Sequence, residues 1–102
     1  MDIRTLLEEV KVLRPNEHQK YVLLVIETSE TPVLAYDRVM VGESNIEAAK
    51  ILNTYGYIRI SNSAKRAELT LRGKKSLISY GLVDSSGEVT DVGQEILKRY
   101  SD

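Results

Sequence analysis

A chain of 102 residues, 42% hydrophobic and 28% charged, has the makeup of one soluble globular domain with a single core. It contains no cysteine, which excludes disulfides, thiol catalysis and cysteine-bound zinc, and its one histidine, His18, leaves a zinc site short of ligands and reads as a first-turn surface residue. The net charge of −1 averages over an uneven distribution: seven of the fourteen Lys and Arg residues lie between Lys50 and Lys75 with a single acid, Glu68, among them.

In chain order, Ile3, Leu6, Leu7, Val10 and Leu13 recur at helical spacing with Glu8, Glu9 and Lys11 off the stripe, which predicts an amphipathic helix over residues 2–14. Asn16 followed three residues later by Gln19 is a capping-box pattern. The apolar run Tyr21 to Ile26 behind it reads as a buried central helix, about Glu17 to Thr28. Pro32 suits the first turn of a short helix over about Val33 to Val41. Gly42-Glu43-Ser44 breaks it, and Ser44 or Asn45 is expected to cap a further helix with Ile46, Ala49 and Leu52 inward, stopped at Tyr55-Gly56.

From Tyr57 the period changes to two. Ile58 and Ile60 alternate with Tyr57, Arg59 and Ser61, and beyond Asn62-Ser63-Ala64 the residues Ala67, Leu69 and Leu71 alternate with Arg66, Glu68 and Thr70. This predicts a β-hairpin with one apolar and one polar face. Thr70 then caps a helix to about Tyr80, stopped by Gly81. A smaller hairpin follows around Asp84-Ser85-Ser86-Gly87, and Thr90 caps the last helix, whose Asp91, Lys98 and Arg99 suit its dipole.

The pattern Leu69-Thr70-x-x-Gly73-x-x-x-Leu77 recurs as Val89-Thr90-x-x-Gly93-x-x-x-Leu97, and each copy follows a Gly and an apolar pair, Gly56-Tyr57-Ile58 and Gly81-Leu82-Val83. A unit of helix, Gly, hairpin, Thr and helix therefore occurs twice. The Thr caps, and the Gly three residues on lets the first turn approach a strand closely.

The charge adds a functional expectation. A basic band that runs from a helix through a hairpin into the next helix is a shape that meets nucleic-acid phosphates. No phosphate loop, dinucleotide fingerprint, nucleophile elbow or convergent acid and base set is present, so no catalytic residue and no cofactor is expected, and the chain is read as not an enzyme. Val22 to Ile26 is the longest apolar run, far too short to span a bilayer, and Met1-Asp2-Ile3-Arg4 does not open a leader; a cytoplasmic protein without a membrane partner is expected.

The helix from Val33, the break, the helix to Gly56 and the hairpin ending in Leu69-Thr70-Leu71-Arg72-Gly73-Lys74-Lys75-Ser76-Leu77 resemble the winged helix-turn-helix superfamily, in particular small prokaryotic or phage regulators of the MarR or PadR type. The resemblance covers residues 16–77, leaving residues 78–102 as a second short hairpin and C-terminal helix within one α+β domain over 1–102. It implies that Val33 to Val41 is the supporting helix and Ser44 to Tyr55 the recognition helix, with Ser44, Asn45, Glu47 and Lys50 toward base edges in duplex DNA. It also implies that the hairpin is a wing lying on the backbone, with Arg59, Lys65 and Arg66 at phosphates and Arg72, Lys74 and Lys75 following on the next helix.

The chain departs from the family pattern in its recognition helix, which opens with Glu43 and Glu47 and holds one cation, Lys50. Carboxylates beside phosphates are unfavourable, so a second reading stands beside transcriptional control: a non-catalytic protein-protein interaction module in a transcription or replication complex. Dimerisation through the helix at Ile3 to Leu13 or the one at Asp91 to Tyr100 would let a weakly basic module bind two half-sites.

Overall fold

The computed structural model describes residues 15–100. The helix expected over residues 2–14 lies outside the described residues. Those described form an α+β arrangement of five helices and one two-stranded antiparallel hairpin: α1 Glu17–Thr28, α2 Pro32–Val39, α3 Glu43–Thr54, β1 Ile58–Ser61, β2 Arg66–Leu69, α4 Leu71–Ser79 and α5 Asp91–Tyr100. This order is compatible with a winged-helix type of topology in general terms.

Four of the five described helices start where a side chain, from Asn16, Thr31, Thr70 or Thr90, accepts from an amide of the first turn. Asn16 and Gln19 complete the capping box of α1: the Gln19 amide donates to Asn16 Oδ1 (2.8 Å) and the Asn16 amide to Gln19 Oε1 (3.0 Å). Thr31 caps α2 through the Leu34 amide, with Pro32 just inside. α3 differs from the sequence expectation. Its cap is Gly42, at φ +89°, with no side-chain hydrogen bond, so Ser44 and Asn45 lie inside the first turn. The left-handed Gly42 starts the helix two residues early, and the Asn45 side chain is drawn away to other partners.

α1 is the central element. Val22, Leu23, Leu24, Val25 and Ile26 are all buried, and α1 packs against each of the other helices and against β2. Full burial of each such side chain contributes about 1.5–3 kcal/mol, which explains why this run shows no polar stripe. Ala35 and Val39 of α2, Ala48, Ala49 and Leu52 of α3, Leu77 of α4 and Ile96 of α5 close on it. Val33 and Leu34 support α2 but are exposed.

The hairpin pairs Ile58 with Leu69, Arg59 with Glu68, Ile60 with Ala67 and Ser61 with Arg66. Ile58, Ile60, Ala67 and Leu69 share the face turned to the core, while Arg59, Ser61, Arg66 and Glu68 share the other. The alternation fails at both ends. Tyr57, expected on the polar face, is only 3% exposed, and Leu71, expected on the apolar face, is 68% exposed. Tyr57 still belongs to the turn out of α3, and Leu71 already belongs to α4, so neither follows the strand period.

The internal repeat has a structural counterpart. Thr70 accepts from the Gly73 amide, donates to the Gly56 and Tyr57 carbonyls, and its own amide bonds to Tyr57 O. Thr90 accepts from the Gly93 amide, donates to the Gly81 carbonyl, and its amide bonds to Leu82 O. A Cβ at Gly73 would overlap the Tyr57 carbonyl oxygen, and one at Gly93 the Leu82 carbonyl oxygen. The second hairpin has shrunk to a single bridge, Val83 with Val89.

Candidate nucleic-acid interface

The wing is anchored to the helices at two points. Asn53, on the last turn of α3, accepts from the Ile60 amide at the outer edge of β1 (3.1 Å). Tyr36 of α2 donates its hydroxyl to Asn62 Oδ1 in the tip (3.0 Å). Within the tip, Ser61 Oγ accepts from the Ala64 amide (3.2 Å). These bonds turn a short two-stranded hairpin, marginal by itself, into a fixed projection.

The projection is cationic. Lys65 closes the tip at φ +53°, the one positive φ outside glycine among the described residues. A side chain in the left-handed region costs about 1–2 kcal/mol, so this position favours Gly or Asn on backbone grounds alone, yet it holds a cation. Arg59 is exposed in mid-strand. Arg66 bonds Glu68 two residues along the same face (3.0 Å), with both side chains about half exposed. An exposed pair of this kind contributes about 0–1 kcal/mol, so Arg66 can exchange Glu68 for a phosphate at little loss.

The other expected site residues fall into three groups. Lys50 stands on the outward side of α3 with Glu43, Glu47 and Ser44, all exposed. Asn45 does not face outward freely: its Nδ2 donates to Val41 O (2.9 Å) and its Oδ1 meets His18 Nε2 at 2.7 Å. Arg72 holds α3 and α4 together, donating to the Tyr55 carbonyl at the end of α3 (2.9 Å) and lying over the Tyr57 ring at 4.6 Å. Lys74 and Lys75 are exposed on α4, which begins at the open end of the hairpin, away from the Lys65 tip.

His18 corrects a sequence expectation. Expected at the surface of the first turn, it is half buried, bonded to Asn45 across 27 positions and set edge-on to the Tyr21 and Tyr100 rings at 5.9 and 4.9 Å. Arg99 of α5 pairs with Glu17 beside it. This cluster joins the start of α1, the start of α3 and the end of α5. Asn53, Tyr36 and Asn62 carry no such signal in the sequence either, because no periodic pattern marks a polar contact between distant elements.

Among the described residues no group of His, Asp and Glu is placed to hold a metal ion, and no helix is long and apolar enough to cross a membrane. Asp84 sits in the turn of the second hairpin, where hydrogen bonds converge on its carboxylate. The Ser86 hydroxyl, then the amides of Glu88, Ser86 and Gly87, hold its carboxyl below the usual aspartate range. That network shapes the second turn and makes no contact with the wing. No family model, curated protein sequence or solved structure matches the chain.

Proposed function

We propose that the protein is a nucleic-acid-binding regulatory module of winged-helix type that grips duplex DNA through the wing, in transcriptional control. One observation carries this reading: a hairpin tethered to two helices displays Arg59, Lys65 and Arg66 on its tip and polar face, with the tip cation held in a backbone conformation unfavourable for its residue type. Lys50, exposed on the outward side of α3 beside Glu43 and Glu47, adds a fourth cation to this reading. Phosphate contacts of this kind supply affinity and register, while sequence must be read by base contacts. Asn45 is already bonded at both ends of its amide, so Ser44 and Glu47 are the α3 residues left to meet base edges, and Glu47 would do so as an acceptor from cytosine.

The test is fluorescence anisotropy with a labelled duplex at low salt. Replacement of Arg59 and Lys65 by Glu should weaken binding by at least about tenfold while leaving circular dichroism unchanged, since reversing a charge that faces a phosphate acts directly on the electrostatic part of affinity. Equal binding by wild type and variant would discard the reading.

A second reading is favoured by the outward face of α3, where Glu43 and Glu47 stand exposed with neither carboxylate ion-paired among the described residues. On that reading α3 meets a basic protein partner in a non-catalytic assembly, and Glu47→Lys abolishes partner binding while leaving duplex binding intact.

A further inference from the structure

The outward faces of α3 and α4 carry opposite net charge beside exposed apolar side chains. On α4, Leu71 and Ile78 are 68% and 51% exposed, and Lys74 and Lys75 lie between them on the same side. Seven residues separate the two apolar ends, about 10 Å at the helical rise. On α3, Glu43 and Glu47 lie one turn apart, with Ile51 exposed one turn further and Val41, 65% exposed, just before the helix. Lys50 shares this outward side, so the two glutamates leave it with a net negative charge of one.

Both faces also border open grooves. One of about 480 Å³ runs along α4 and includes Leu71, Lys75 and Ser79. One of about 340 Å³ lies between α1 and α3 and includes Gln19, Glu47 and Ile51. Among the described residues the two ion pairs, Arg66 with Glu68 and Arg99 with Glu17, use none of Glu43, Glu47, Lys74 and Lys75.

We infer that the acidic, apolar face of α3 receives the basic, apolar face of α4 from a second copy of this chain. Leu71 and Ile78 supply the apolar contact against Ile51 and Val41, and the two lysines meet the two glutamates. Because different patches meet, the contact is head-to-tail, and the joined pair keeps one free face of each kind, α4 on one copy and α3 on the other. Such contacts build rings or open rows, not closed two-fold dimers. Arg59 and Lys65 on the wing take no part, so a row of copies leaves its wings open while the outward face of α3, Glu47 included, is taken up by the neighbouring copy in place of base edges. The inference extends the second reading of α3 by naming its partner.

Sedimentation velocity over a range of concentrations at low salt, without nucleic acid, tests it. The expected result is a mass that rises with concentration past that of one chain and falls back as salt screens the contact. Lys74→Glu with Lys75→Glu, and separately Glu43→Lys with Glu47→Lys, should each remain monomeric where wild type associates. All four residues are exposed, and circular dichroism verifies the fold of each variant. If Glu43→Lys unwinds the first turn of α3, Glu47→Lys alone replaces that variant.

Mixing the two variants should restore association, since each then carries the face complementary to the other. A wild type that stays monomeric overturns the proposal without touching the duplex-binding reading, which the Arg59 and Lys65 variants decide. Association that survives both reversals, or a mixture that fails to recover it, overturns it as well.

Discussion

Asn53 Oδ1 accepts the Ile60 amide at 3.1 Å, so the last turn of the helix expected to face a groove also fixes the outer edge of the first wing strand. Position on α3 and position of the wing are therefore coupled by one side chain. Asn53→Ala should cost about 0.5–1.5 kcal/mol, the usual net worth of a hydrogen bond, and should release the Ile60 amide to exchange. Native-state hydrogen exchange followed by NMR reads both, and unchanged protection at Ile60 would show that the tether is not formed in solution.

Lys65→Gly separates stability from binding. The left-handed backbone at Lys65 is strained for lysine and ordinary for glycine. The variant is expected to unfold at the same denaturant concentration as wild type or higher, while binding duplex more weakly. A variant that loses stability would mean that the Lys65 side chain holds the tip together.

Gly73→Ala and Gly93→Ala should each destabilise by about 1–3 kcal/mol, the range for forcing atoms into filled space. The obstacle is a carbonyl oxygen of the main chain in both cases, Tyr57 O and Leu82 O, and neither can swing aside as a side chain could. Urea denaturation measures the two losses. Tolerance at Gly93 with loss at Gly73 would show that only the first copy of the repeated unit needs the close approach.

These glycines show how far the sequence could be read. Thr70 with Gly73 and Thr90 with Gly93 form a local pattern, and local patterns carry their physics with them: a cap, then a residue without a side chain where the helix meets a strand. The capping box at Asn16 and Gln19 and the two-residue period of Ile58 and Ile60 were legible for the same reason. The end of a period was not, because Tyr57 and Leu71 belong to the neighbouring turn and helix.

Contacts between distant elements were illegible in principle. Nothing in the chain announces that His18 meets Asn45 or that Tyr36 meets Asn62. The first of these engages Asn45, expected at base edges, which also bonds Val41 O. Gly42 as the cap of α3 was hidden behind Ser44 and Asn45, both better caps by composition.

The Asn45 contacts give a further prediction. Asn45→Ala should lower stability by about 1 kcal/mol through removal of the bonds to Val41 O and His18, and should leave duplex preference unchanged. Selection of preferred duplexes by wild type and variant, alongside thermal melting, checks both halves. A shift in preference at adenine positions with unchanged stability would return Asn45 to base reading.

The second turn has a predicted acid response. The carboxyl of Asp84 is held below its ordinary acidity range in the folded chain, chiefly by the Ser86 hydroxyl, so the carboxylate favours the folded turn above the unfolded pKa. That contribution should be lost as pH falls through the lower, folded value. NMR titration of the Ser86 and Glu88 amides should give a midpoint below that of an unstructured aspartate, and an Asp84→Asn variant should show no such step. A midpoint at or above the ordinary value would contradict the network.

Contact between the wing and phosphates is read from the affinity of the wild-type chain for a labelled duplex as salt rises. Four contacts, from Lys50, Arg59, Lys65 and Arg66, predict a slope of log K against log salt of about −3 to −4 per chain. A slope near zero, or no binding at the lowest salt, would rule out phosphate contact by the wing and leave the outward face of α3 as the surface through which the protein acts.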